Sequence, residues 1–541
     1  MGKRRVVALA AGCALAGLVT ACSSSTSSQG VVSTTAPAVE TTVAPATTAD
    51  GSDAASTTQA TDDSEPASPA GGTVTVGLDS EPPTLDPAAN SLSLANGSVF
   101  GAIYETLMRV TPDEPAPQPL LVESITESAD RLSWTLTLRS GVTFHDGTPF
   151  DAAAVKFNLE RQKASPYNGP TLVPLTGVDV VDEMTVQLNL SSPWTALPSV
   201  LAGINGVMVS PTAAADATAY QRNPVGTGPY QFVEWASGDR IVTERFDGYW
   251  GDPAPLDSLV FKIVTVEAAR VAAFEAGEID AYTTIVDATA RDAAADGAQV
   301  VSPPPTGYGY YYLNLTKPPL DDVRVRRALL LGADRDAIAN AYQGQTYAEA
   351  SFSPFLKDSE WWVAPESPVT FDPDAAAALL ADYGQPVAFT FKLLAGSQEI
   401  EDSVRATIDY WNQLGMDVEL QLIPDVGSYV TDVVTGNYDA LGFVGGSLGD
   451  PDSVLYSIFH STGSYNFGRY SNPVVDAALD EGRASNDDAV RKAAYATVQQ
   501  AIREDLPVII TSHGQIYIVA SPELGGLDPS FFFPSRTVSR G

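Results

Sequence analysis

The chain has 541 residues, 44% of them hydrophobic, and its 66 acidic against 30 basic side chains give a formal net charge of −36. That balance excludes a nucleic-acid partner, which needs basic patches to meet phosphates, and direct adhesion to anionic lipid. The acidic surface reads first as a solubilising coat and only second as an attractor of cationic solutes.

At the N terminus Lys3, Arg4 and Arg5 precede an apolar run from Val6 to Val19 and the small-residue site Val19-Thr20-Ala21-Cys22. The run falls short of the about 20 residues that span a bilayer, so residues 1–21 read as a signal peptide. A cysteine directly after the small residues resembles a bacterial lipobox, with Cys22 the lipidated first residue of the mature chain. An ordinary signal peptide with an incidental cysteine is the alternative, and the flanks of Arg4-Arg5 do not help a twin-arginine reading. Cys13 is the only other cysteine and lies in the removed part. The exported chain then has no disulfide and must rely on a large core. Residues 22–72 are dominated by Ser, Thr, Ala, Pro and Asp with no Lys or Arg, a composition too poor in apolar surface to order itself. As a coil such a tether reaches roughly 40 Å.

Beyond the tether the pattern becomes globular, and a chain this long exceeds one core, so at least two lobes are expected. TVTVGL (Thr73 to Leu78) alternates as a strand, and Pro82-Pro83 and Asp86-Pro87 force a turning loop. Ser98 to Met108 reads as a helix with Val99, Ile103, Tyr104 and Leu107 on one face. Leu132 to Leu138 alternates again, Asp151 is placed to cap a helix from Ala152 to Gln162, and Val178 to Leu190 holds two strands around an Asp-Glu turn. Asn223 to Gly251 is the most telling stretch. Gly226-Thr227-Gly228-Pro229 opens onto Tyr230, Phe232 and Trp235, a polar turn follows at Ser237 to Asp239, Ile241 to Arg245 returns, and Tyr249-Trp250-Gly251 closes the unit. It reads as a hairpin whose aromatic face has period two. Further strands are expected at Leu259 to Val264, Val300-Val301 and Tyr308 to Leu315. Helices are expected at Glu267 to Ala276, after Asp322 and after Asp334. From Val387 onward strands and helices alternate in a βαβ manner, with a last long helix over Val490 to Glu504 and final strands at Leu506 to Thr511 and Ile516 to Val519.

Three blocks carry a family resemblance: RLSWTLTLRSGVTFHDGTPFDAAAVKFNLER, the hairpin unit NPVGTGPYQFVEWASGDRIVTERFDGYWG, and DDVRVRRALLLGADRDAI. With them, from about Gly72 to the C terminus, the chain resembles the extracytoplasmic solute-binding proteins of ABC importers, family 5, which bind peptides, nickel chelates and some oligosaccharides. The resemblance implies an α/β, two-lobed periplasmic-binding-protein-like fold with the ligand cleft between lobes and two crossings. The expected division is lobe 1 from 73–108, 223–312 and 508–541, an inserted subdomain from 109–222, and lobe 2 from 313–507. It also implies a monomer at the extracytoplasmic face of the bacterial membrane, in the periplasmic space or at the cell surface, anchored through Cys22. Such a chain captures a peptide or peptide-like solute and delivers it to a permease pair, with ATP hydrolysed on separate subunits and neither cofactor nor catalytic group needed. An oligosaccharide or a metal chelate is the alternative cargo, and a sensor without transport is a rival use of the same fold.

The candidate ligand-binding residues are Asn96, Tyr308, Tyr310, Trp361, Trp362, Phe443, Gly446, Ser447 and Asp450. Tyr308, Tyr310 and Tyr312 share one face of a strand and Tyr311 the other, with core packing as the competing role. Trp361-Trp362 lie in an irregular segment where large rings meet ligand or lobe. Asn96 follows the expected pocket loop of lobe 1 and serves equally as a helix cap. Peptide-binding relatives tend to carry, four positions before the proline of GDPDSVLYSIFHS, an aspartate that pairs with the peptide α-amino group. Ser447 stands there, with Asp450 or Asp452 as possible substitutes and Asp452 also a helix cap. Gly445-Gly446-Ser447-Leu448-Gly449 matches a nucleophile elbow, with Asp505 and His513 following in hydrolase order, which is the enzyme alternative. His145, His460 and His513 are too dispersed in sequence for a metal site.

Overall fold

A computed structural model describes residues 71–540 except 91–92, 112–113, 115, 303–306, 343–352, 356, 358, 366–368, 396–397, 447–449 and 528–534. The expected signal peptide, Cys22, the expected tether as far as residue 70, and Ser447 therefore lie outside the described residues. Among the described residues no helix is long and apolar enough to cross a membrane.

Strand β1 (Thr73–Leu78) buries Val74, Val76 and Leu78, as its alternation predicts. Helix α1 (Leu94–Ile103) starts four residues earlier than its apolar face predicts, because Ser93 and Asn96 form a reciprocal capping box. It stops at Tyr104, which is extended. Then come β2 (Val122–Glu127), β3 (Ser133–Leu138), α2 (Ala152–Ala164), β4 (Leu175–Asp182) and β5 (Thr185–Leu190). Asp151 does cap α2, accepting from Ala154 N at 2.8 Å. These four strands form an antiparallel sheet in the order β2-β3-β5-β4, over a core that includes Phe144, Leu159 and Trp194.

The other strands of the two larger sheets are β6 (Tyr230–Ala236), β7 (Arg240–Arg245), β8 (Ser258–Ile263), β9 (Ala281–Thr284), β10 (Gln299–Val301), β11 (Gly307–Leu313), β12 (Ala388–Leu394), β13 (Asp417–Ile423), β14 (Ala440–Gly446), β15 (Val508–Gly514) and β16 (Tyr517–Ala520). Helices α3 (Asp452–Phe459), α4 (Pro473–Ala484) and α5 (Asp488–Asp505) close the second lobe. The first lobe is the seven-stranded sheet β10-β16-β9-β1-β8-β7-β6, and the second lobe is the five-stranded sheet β13-β12-β14-β11-β15. Two strands cross the expected boundaries. The expected division puts residues 307–312 and 508–514 in lobe 1, yet β11 pairs with β14 on one side and β15 on the other, inside the second sheet. The crossings instead fall at 302–306 and 515–516.

The β6–β7 hairpin forms as expected, but its aromatic face does not follow period two. A bulge between Phe232 and Glu234 inserts Val233, so that Phe232 opposes Thr243 and Trp235 opposes Ile241. The extra residue returns Trp235 to the face of Tyr230 and Phe232, and all three pack on the first-lobe core. The turn before β6 closes against the end of α1, where Gly228 N donates to Ile103 O at 2.9 Å. His145 of the inserted subdomain reads the same turn twice. Its Nδ1 accepts from Gly226 N at 3.3 Å, and its Nε2 donates to Gly228 O at 2.9 Å. Arg161 pairs with the buried Asp86, and Asn168 Nδ2 donates to Pro87 O at 2.8 Å, so the inserted subdomain is fastened to lobe 1 by buried polar contacts.

Burial holds the His145 imidazole down to about 4, and the N–H of Gly226 aimed at Nδ1 leaves no room for a second ring proton. The folded state thus keeps a neutral ring where the unfolded chain protonates near 6.5. The stability present above pH 6.5 is lost as pH falls towards 4, by about 3 kcal/mol for this one group. Urea unfolding between pH 7 and 4.5 should show a shallower pH slope for His145→Gln than for the natural chain, whatever the offset between them.

Candidate functional site

Both crossings leave from one end of the second sheet, and Ser302 Oγ donates to Ile516 O at 3.0 Å, tying them together. At that end Gly307 opposes both Gly446 and Gly514, and Tyr308 sits in register between Gly445 and His513. A five-residue crossing spans at most about 18 Å, so these strand ends stand close to the first lobe. Tyr308 and Gly446 are therefore brought together there by register, and Ser447 is the next residue in the chain.

Behind this edge is an aromatic wall. Tyr310 stacks on Phe443 with ring centroids 5.7 Å apart, Tyr312 meets both rings edge-on, and Tyr465 and Phe467 complete the group. Tyr310 is only 4% exposed, and burial raises its phenol well above the ordinary range. Tyr311 faces the opposite side, against Phe391 and Trp411, and burial pushes it up to about 12. Alternation thus assigned the faces correctly, and it places Tyr310 in the core beneath the edge. Phe443 is half-buried and joins that core to the edge.

The other candidates are held by protein partners. Asn96 is 1% exposed, and its side chain accepts from Ser93 N at 2.7 Å. Trp361 lies edge-on to Tyr495 of α5 at 5.7 Å, beneath the guanidinium of Arg491, while its carbonyl accepts from Gln499. Trp362 is partly exposed and donates its N–H to Ser359 O.

The carboxylates after the 447–449 segment carry the clearest electrostatics. Asp450 accepts from Arg491 Nη2 at 2.6 Å and from the N–H of Asp452 at 2.9 Å, while Pro451 holds the N-cap position and Asp452 is the first residue of α3 rather than its cap. Asp452 is fully buried and bidentate to Arg483, at 3.0 and 2.9 Å, and its Oδ2 also accepts from the indole N–H of Trp194 at 3.3 Å. Burial raises the Asp452 carboxyl even so. Each carboxylate already faces an arginine, which leaves neither as a ready counter-charge for a cationic solute. Arg483 and Arg491 were not visible as site residues in the sequence, because they lie 31 and 41 positions from their partners and no local spacing links them.

The hydrolase order does not assemble around Asp505. That residue sits at the end of α5, before β15, where Tyr470 and Asn472 donate to it at 2.5 and 2.8 Å. His513 lies near the far end of β15, five strand steps of about 3.3 Å each beyond Val508, where the strand leaves the end of α5. His145 and His460 are both engaged locally, His460 accepting from Thr462 N and stacking on Tyr456. Among the described residues no group of three His, Cys, Asp or Glu is placed to hold a metal ion.

Residues 116–466 match the family described as bacterial extracellular solute-binding proteins, family 5 Middle. The glutathione-binding protein GsiB of Pectobacterium atrosepticum is 30% identical over 467 residues, covering 82% of this chain and 89% of its own. Among solved structures, the chain is similar to the periplasmic binding protein DppA of Helicobacter pylori in complex with the peptide STSA, with a TM-score of 0.77 at 21% identity over 87% of this chain and 98% of that one. It is also similar to the binding protein AgaA of A. tumefaciens R10 in complex with agropinic acid, with a TM-score of 0.75 at 27% identity over 87% and 99%.

Replacing Arg483 by Met leaves the Asp452 charge buried and unpaired, which should cost about 3–5 kcal/mol at pH 7. An unpaired buried carboxyl has its folded pKa raised further, so the variant should regain stability as pH falls and lose it as pH rises. Trp194→Phe removes one neutral donor and should cost about 1 kcal/mol. Urea unfolding at pH 5 and pH 8 measures all three.

Proposed function

The chain belongs to the bacterial extracellular solute-binding proteins of family 5, and on that premise we propose that it captures a peptide or peptide-like solute between its lobes. It is the substrate-binding component of an ABC importer. The finer reading is a chain tethered to the extracytoplasmic face of the membrane through a lipid on Cys22, handing its solute to a membrane permease. Ligand that bridges both lobes favours the closed form, because only there does it touch both.

The observation that carries the reading is the edge where β11, β14 and β15 end together at the two crossings, backed by the aromatic wall of Phe443, Tyr310 and Tyr465. A solute seated on that edge meets backbone N–H and C=O groups of Gly307, Gly445 and Gly446 at close range, which suits an extended peptide-like chain. Tyr308 and Ser447 adjoin the edge in sequence, and Trp361 lies against the same lobe. The similarity to GsiB makes a glutathione-like peptide the first solute to try. A second reading, an acidic sugar conjugate, draws on the arginine-compensated carboxylates Asp450 and Asp452, on serine at 447, and on the likeness to AgaA.

Thermal unfolding of purified protein with glutathione, short peptides, an agropinic-acid-type conjugate and nickel–histidine separates these classes. A ligand at a hundred times its Kd adds about 2.7 kcal/mol, several degrees of melting temperature. A shift with the peptides alone supports the first reading, a shift with the conjugate alone replaces it by the second, and a shift with nickel–histidine alone overturns both. For the solute that binds, Tyr308→Ala should weaken affinity about tenfold, the size of one lost stacking contact. Cys22→Ser should release the protein from the membrane fraction, and retention there would sink the lipid anchor.

A further inference from the structure

The inserted subdomain touches the second lobe away from the crossings, at Trp194 against Asp452, at Tyr167 against Tyr465, and most densely between the β2–β3 turn and the turn between α4 and α5. Asn486, in the α4–α5 turn, has every polar atom of its amide engaged by the other side. Its Oδ1 accepts from Arg131 Nη2 at 2.7 Å and from Thr195 Oγ1 at 2.9 Å, and its Nδ2 donates to Glu127 Oε2 at 2.8 Å. Arg131 is aimed by Glu127, whose Oε1 accepts from Arg131 Nε at 2.9 Å, and its Nη1 reaches the carbonyl of Ala484, the last residue of α4. A cation thus crosses between lobes to meet the carbonyl end of a helix. Thr195 adds a backbone bond, its N donating to Arg483 O at 3.2 Å.

Arg131 also has φ +60°, in the left-handed region that glycine or asparagine takes more readily. An arginine kept in that conformation is held by its surroundings, and the partners that hold it lie partly on the second lobe. Parting the lobes would strip Asn486 of all three partners and Arg131 of two, with Glu127 and Thr195 left to the arginine.

We infer that Glu127, Arg131, Thr195 and Asn486 form a latch that stabilises the closed arrangement of the lobes without any solute. The latch goes beyond solute capture and depends only on the two-lobed fold. It raises the closed population of the empty protein, and the apparent affinity for any solute that needs closure rises with it.

Single-molecule energy transfer on the solute-free protein tests this. The full chain carries Cys13→Ser and Cys22→Ser, with a labelling pair at Val181→Cys in the inserted subdomain and Val474→Cys in the second lobe, both exposed valines. The natural latch should give one dominant closed population. Arg131→Gly, which accepts the left-handed backbone, and Asn486→Ala, on the opposite lobe, should each raise the open-to-closed ratio about tenfold, as loss of a charge-assisted hydrogen bond implies. The double variant should open little further, since both remove one shared contact. Unchanged populations in folded single variants, or additive opening in the double, would overturn the latch. Melting temperatures show that the variants fold, and because no solute is present the outcome is independent of which solute the protein carries.

Discussion

The structure depends on a close approach of backbone to backbone at Gly226 and Gly228. A Cβ on Gly226 would stand 2.1 Å from Ile103 O, and one on Gly228 would stand 2.5 Å from Ala102 O. No side chain fits there, and the end of α1 cannot retreat because the next residues are themselves fixed. Tyr104 donates to Leu85 O at 2.7 Å, and the buried carboxylate of Glu105 accepts from Tyr249 OH, Trp250 Nε1 and Arg536. One short stretch therefore joins α1, the hairpin, the inserted subdomain through His145, and the C-terminal segment through Arg536. The lobe-1 half of the molecule is positioned by that junction more than by any single strand pairing.

The second lobe is built differently. Its interior strand β11 has apolar layers on both faces, with Tyr311, Phe391 and Trp411 on one and Tyr310, Tyr312 and Phe459 on the other. A strand covered on both faces and paired on both edges is a rigid base for whatever its end presents. That end is also where the chain passes twice between lobes, which is why the candidate site lies there and not on the outer faces of the helices. Beside it the two arginine–aspartate pairs of α3, α4 and α5 are desolvated, so their worth lies in fixing geometry rather than in net stability.

Much of this was legible in the residues. Asp151 and Asp322 cap their helices as the cap chemistry requires. The alternation of Tyr310, Tyr311 and Tyr312 assigns faces correctly because side-chain direction in a strand is a local property. The failures share a cause. The bulge at Val233 and the membership of β11 and β15 in the second sheet are each decided by a partner segment. Register and pairing are not written in the strand that is paired.

By itself, then, the amino-acid order determined the α/β class, the family, the element types, and the need for a glycine-dependent turn before the aromatic hairpin. Those follow from periodicity, capping and backbone sterics, which act over a few residues. Only the tertiary structure decided that Asp450 and Asp452 are already met by Arg491 and Arg483, that Asp505 is held by Tyr470 and Asn472, and that Arg131 reaches across to Asn486. Each of these joins residues tens to hundreds of positions apart. The free energy of a charge or a hydrogen bond depends on burial and distance, quantities that exist only once the chain has folded.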